Sequence, residues 1–147
     1  MPKTFERYNE LDVYTDGGSR GNPGPSASGF VIMTADEQIV EEGGKFLGHT
    51  TNNQAEYQAV VLALEAAKKY GKPKLNVYLD SQLVVNQLNG IYRLKSKDLY
   101  PIHQRIKELA KEFPGVVFTH VMREYNSLAD AQVNLVLDFE EHKNASK

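Results

Sequence analysis

Four acids stand out in this 147-residue sequence for where they fall: Asp16, Glu56, Asp80 and Asp130. Asp16 precedes a glycine pair, Asp80 closes an alternating apolar stretch, and Glu56 and Asp130 each open a segment of helical composition. Taken one at a time, each is explained at least as well by structure, Glu56 and Asp130 as first-turn acids that complement a helix dipole. Four acids at element ends, each beside Gly, Asn or Ser, are harder to explain as caps. Carboxylates that converge without a cation repel one another, which raises some of their pKa values or destabilises the site. Four negative charges match two divalent cations, and an all-oxygen donor set favours Mg²⁺ or Mn²⁺ over zinc. A pair of such ions can activate a water and stabilise the leaving oxygen in phosphodiester hydrolysis. The four histidines show no HxH or HExxH spacing, so a zinc hydrolase is not expected.

The elements that must position these acids follow from period and punctuation. Residues 11–16 alternate Leu11, Val13 and Thr15 against Asp12, Tyr14 and Asp16, a strand of period two that stops at Gly17-Gly18. The stretch from there to Pro25 is made of turn residues. Residues 28–34 and 38–46 read as two more strands joined by a polar turn, an antiparallel meander. Thr50-Thr51-Asn52-Asn53 offers N-caps to a helix over 54–69, which Gly71 and Pro73 end. Residues 75–80 alternate again, 81–88 and 100–113 read as helices, 116–122 as a fifth strand and 127–142 as a last helix. The order β-β-β-α-β-α-α-β-α implies a mixed sheet covered by helices, and puts Asp16 and Asp80 side by side if their strands pair in parallel. The tail after residue 142 is expected to fray.

Composition bounds the rest. The length suits one domain over residues 1–147 with a core from about 11 to 142, and 41% apolar residues can fill it. With no cysteine, disulfides, thiolate chemistry and Cys-ligated metals are excluded. The longest apolar run, 59–64, is far short of the roughly 20 residues of a membrane helix, and the charged first ten residues leave no room for a signal peptide's apolar stretch. The expectation is a cytoplasmic protein with no membrane partner, and a monomer, since no large apolar patch is evident. The net charge of −2 argues against a general nucleic-acid coat, not against a local basic face. Residues 91–111 are such a segment, with six cations against Asp98 and Glu108, net +4.

Four segments resemble the motifs of type 1 ribonuclease H in that family's order, across residues 11 to 138. They are Asp16-Gly17-Gly18-Ser19-Arg20-Gly21-Asn22-Pro23-Gly24-Pro25, Thr51-Asn52-Asn53-Gln54-Ala55-Glu56-Tyr57, Asp80-Ser81-Gln82-Leu83-Val84-Val85 and Arg123-Glu124-Tyr125-Asn126-Ser127-Leu128-Ala129-Asp130. The resemblance implies an α/β ribonuclease H-like fold: a five-stranded mixed sheet, three antiparallel strands then parallel ones, flanked by helices. It implies metal-dependent cleavage of the RNA strand of RNA–DNA hybrids, with the family's four carboxylates on Asp16, Glu56, Asp80 and Asp130 and two Mg²⁺ or Mn²⁺ ions. Double-stranded RNA stays open as a second substrate.

The same resemblance places nucleic-acid contacts at Gly17, Asn22, Thr51, Asn52, Gln82 and Asn126, with Thr51 near a DNA phosphate and Gln82 in the minor groove. Neutral amides and hydroxyls can bond phosphates and 2′-hydroxyls without reading sequence. As isolated residues, Asn22 is a turn former and Thr51 a helix cap. Many members carry a catalytic histidine in a mobile loop before the last aspartate. His120 lies ten residues before Asp130 and fits that spacing, yet it also falls inside the strand expected over 116–122; Glu124 is a substitute acid nearby. The Trp-rich basic protrusion of some members is missing or reduced, since the chain has no Trp. Two rival readings rank lower. A binding domain that had lost catalysis has no reason to keep all four acids, and a 3′–5′ exonuclease places Asp-x-Glu where Asp16-Gly17-Gly18 stands.

Overall fold

The computed structural model describes residues 5–145. Five strands form one sheet in the order β3-β2-β1-β4-β5. β1 (Glu10–Ser19), β2 (Gly24–Met33) and β3 (Ile39–Thr50) make the antiparallel meander, and β4 (Lys74–Leu79) and β5 (Val116–His120) add in parallel on the far side of β1. The five-stranded mixed sheet with flanking helices is the one expected.

The two faces of the sheet are covered differently. α1 (Asn52–Ala67) lies against β1 and β2, and α2 (Gln82–Leu88) and α3 (Tyr100–Ala110) complete that side. Ala55, Ala59, Ala63 and Ala67, four residues apart, are all fully buried, a ridge of small side chains that lets α1 settle close to the sheet. Around it Leu11, Val13, Tyr57, Leu64, Leu75 and Val77 form the main core. α4 (Ser127–Ala145) crosses β1, β2 and β3 on the opposite face, over a much smaller cluster of Ala27, Val133 and Leu137. Strand β2, covered on both faces, is buried at nine of its ten positions, as a doubly covered strand must be.

Several boundaries differ from expectation: β2 begins at Gly24 rather than residue 28, β3 runs on to Thr50 rather than 46, and α3 ends at Ala110 rather than 113. β1 does not stop at Gly17-Gly18: it pairs on through Gly18↔Ala27 and Ser19↔Ser26, so the turn is confined to residues 20–23. A glycine pair reads as a turn locally, but here the neighbouring strand supplies the ladder and glycine serves close packing. α4 runs to Ala145, past the expected fraying at residue 142; the final two residues lie outside those described. No helix among the described residues is long and apolar enough to cross a membrane.

Candidate active site

Parallel pairing brings the first two acids together. Tyr14 sits opposite Tyr78 in the β1–β4 register, their rings stacked at 5.0 Å, so Asp16 and Asp80, two residues further on, leave the sheet at the same level. Glu56 reaches them from α1. Thr51 caps that helix, its hydroxyl accepting from Gln54 N at 3.2 Å. Glu56 is then the fifth helical residue, past the first turn, so the dipole reading does not account for it. Instead it is only 8% exposed and turned to the sheet, where Gly17 lets the backbones meet: a Cβ there would lie 2.2 Å from the Ala55 carbonyl carbon. One carboxylate oxygen each from Asp16, Glu56 and Asp80 lie within 4.8 Å of one another. Asp130, in the first turn of α4, approaches the Asp16 carboxyl from the other side and lines the same cleft.

The electrostatics are those of acids crowded together. Burial, then the charge of Asp80 and the contact with Asp130, push the Asp16 carboxyl up to about 8. Burial, then Asp16 and Asp80, hold Glu56 well above the usual carboxylate range, with Arg123 pulling the other way. Glu56 Oε2 is buried without a hydrogen-bond partner. Crowded, part-buried carboxylates with a spare buried oxygen fit divalent cations through an oxygen-only donor set.

The remaining expected residues divide. Asp16, Gly17, Asn52, Glu56, Asp80 and Asp130 line one open cleft, and Asn22 and Thr51 line the hollow beside it with Gln54 and Ser96. Asn22 Oδ1 accepts from Asn52 N at 3.0 Å and Asn52 Oδ1 from Ser19 N at 2.8 Å, so both amides spend their carbonyls on tying the β1–β2 turn to α1, and their NH₂ groups make no hydrogen bond among the described residues. Gln82 is exposed at the start of α2 and lines neither hollow. Asn126 departs from the expected substrate contact. It is 1% exposed, and its Nδ2 donates to Thr15 O and to Asp80 Oδ2, both at 2.9 Å. Its position within the motif is explained by holding Asp80.

His120 does not occupy a mobile loop. It is the last residue of β5, in register with buried Leu79, and is not among the cleft residues. Glu124 is exposed in a short 3₁₀ turn, and the neighbouring Arg123 lines the cleft instead. Arg123, Arg20 and Asn134 are cleft residues the sequence reading passed over. The available signal was their placement, Arg20 and Arg123 inside quoted motifs and Asn134 one helical turn after Asp130.

A family model described as Reverse transcriptase-like matches residues 14–136. Ribonuclease HI of Halobacterium salinarum is 45% identical over 133 residues, 90% of this chain and 67% of that protein. The crystal structure of RNase H1 from that organism superposes with a TM-score of 0.84 at 46% identity, covering 88% of this chain and 98% of the other. The bifunctional protein Rv2228c of Mycobacterium tuberculosis is 38% identical over 127 residues, 86% of this chain but 35% of its own length, so the chain spans about a third of that relative. LC11-RNase H1, solved in complex with an RNA/DNA hybrid, superposes with a TM-score of 0.82 at 38% identity, covering 85% and 94% of the two chains.

Proposed function

The chain belongs to the type 1 ribonuclease H family, and from that premise we propose that it is an endonuclease hydrolysing the RNA strand of RNA–DNA hybrids. The observation that carries this reading is the meeting of Asp16, Glu56 and Asp80 oxygens within 4.8 Å, in a cleft that Asp130 also lines. Asp16 and Asp80 would hold both of two divalent cations, Mg²⁺ or Mn²⁺, with Glu56 completing one site and Asp130 the other. Bound there, such ions lower the pKa of the attacking water and neutralise charge on the leaving oxygen.

The chain's own residues do the positioning. Asn126 keeps Asp80 turned to the cluster through its 2.9 Å bond. The unbonded NH₂ groups of Asn22 and Asn52 would offer donors to phosphates and to 2′-hydroxyls, which separate RNA from DNA without reading sequence. Glu56 stands on the 2′-hydroxyl side of the substrate, and in-line attack by water leaves 5′-phosphate and 3′-hydroxyl ends.

The test is a labelled RNA offered as a hybrid, as duplex RNA and as a single strand, with Mg²⁺, Mn²⁺ or EDTA. Internal cuts in the hybrid's RNA, lost with EDTA, are expected. Hybrid binding with no cleavage under either metal would favour a binding domain instead. Cutting of duplex RNA as well would widen the substrate class and keep the mechanism.

A further inference from the structure

Asp130 is the acid of the four that the main core does not hold. Asp16 and Asp80 sit on or at the end of central strands and Glu56 is buried in α1, whereas Asp130 is exposed on α4. Its Oδ2 accepts from Asn134 Nδ2 at 3.2 Å, one turn further along the helix. An asparagine amide has nearly the same shape turned over, and the flipped form would set Oδ1 against the carboxylate. Arg20 removes that freedom. Its Nη2 donates to Asn134 Oδ1 at 3.3 Å, which leaves Nδ2 to face Asp130.

Arg20 is itself held from several sides. Its Nη2 lies 2.8 Å from Asp138 Oδ1, its Nη1 lies 2.7 Å from Glu141 Oε1, and its backbone N–H donates to Pro25 O at 2.9 Å. Asp130, Asn134, Asp138 and Glu141 lie at i, i+4, i+8 and i+11, one stripe along α4 that faces the turn after β1. A planar guanidinium can serve three acceptors in fixed directions, which a lysine cannot. The guanidinium stands four residues after Asp16, so one side chain ties the strand carrying Asp16 to the helix carrying Asp130.

We propose that Arg20 and Asn134 are positioning residues: Arg20 fixes the Asn134 amide, and the amide orients the Asp130 carboxylate toward Asp16 and the cation cluster. The inference rests on the reading of Asp130 as part of that cluster. Partners behind the ligands of a metal site commonly change affinity or activity by about ten-fold or more when removed.

Asn134→Asp separates positioning from structure. It keeps an acceptor for Arg20 and turns that contact into an ion pair, so the melting temperature should hold or rise. Yet it sets an acid against Asp130, so kcat on the hybrid should fall about ten-fold with KM unchanged. Asn134→Ala should raise the Mn²⁺ concentration needed for half of the thermal-shift response. Arg20→Ala should do the same to a smaller extent, and in the double variant the two effects on the Mn²⁺ midpoint should be less than additive, because part of what Arg20 does passes through Asn134. Wild-type kcat and Mn²⁺ midpoint in Asn134→Asp would overturn the proposal, as would losses that multiply in the double variant. The side-chain amide resonance of Asn134 in metal-free protein isolates the brace from the activity. It should shift in Arg20→Ala, and an unmoved resonance overturns the relay even in a fully active enzyme. Wild-type protein that cuts no hybrid would sink the functional reading alone.

Discussion

The two faces of the sheet hold their helices by different means. Under α1 lies a continuous apolar core, with Leu64, Leu75, Val77 and Tyr57 fully buried. Under α4 the buried apolar cluster is small, Ala27, Val133 and Leu137, and the helix is brought down onto glycines: a Cβ on Gly29 would lie 2.8 Å from Ala129 O, and one on Gly44 would lie 2.7 Å from Val136 Cγ2. Much of what fastens α4 beyond that is polar, through Arg20 and its partners. Three of the four carboxylates ride on the firmly packed side or on the strands, and the fourth rides on α4. The arrangement gives the site a rigid floor and one wall whose placement depends on hydrogen bonds.

The largest effect expected is at the floor. Asp80→Asn should cut hybrid cleavage by about 10³-fold or more, about 4 kcal/mol of transition-state stabilisation, with the fold intact by circular dichroism. Near-normal turnover would remove Asp80 from the mechanism. Next come substitutions that weigh the two faces directly. Gly17→Ala puts a methyl into the α1 backbone, which its core prevents from yielding, and should cost about 4 kcal/mol or block folding. Gly29→Ala pushes on α4, which can shift, and should cost about 1–2 kcal/mol in urea unfolding while lowering activity through Asp130. Equal costs would erase the distinction between the faces.

A cavity pair makes the same comparison more finely. Leu64→Ala should cost about 4 kcal/mol and Leu137→Ala about 2 kcal/mol, because fewer buried neighbours surround the second. The reverse order would place the stronger core under α4.

The smallest effect is in the pH dependence of the metal-free protein. The folded pKa values of Asp16 and Glu56 are raised, so the folded state holds more protons than the unfolded one above about pH 4. Stability in EDTA should therefore fall as pH rises through about 8, and the melting temperature should drop along that window. Mn²⁺ at pH 8.5 should restore it by binding the ionised cluster, and Asp16→Asn should flatten the slope. A melting temperature that rises with pH in EDTA would contradict the crowding of these acids.

Much of this was legible in the chain because it is written in local chemistry. Period-two alternation marked β1 and β4, the Ala- and Leu-rich run marked α1, and the four motifs named Asp16, Glu56, Asp80 and Asp130 before any geometry was known. Gly17-Gly18 misled because the same residue type serves a turn or a close approach, and only the α1 backbone against β1 distinguishes them. His120 was ambiguous because its spacing from Asp130 suits a loop and a strand alike, and the pairing of β5 with β4 through Leu79 and His120 decided for the strand.

What the sequence alone determined was the order of elements and the identity of the acids, since both depend on residues close together in the chain. What the tertiary structure decided was every relation across the chain. Asn126 turns inward to Asp80, 46 residues away, Arg20 reaches Asn134 across 114, and Arg123 enters the cleft where Glu124 does not. Those contacts depend on strand register and on how closely a helix can approach a sheet. Both are set by packing among residues far apart in sequence, which no local pattern encodes.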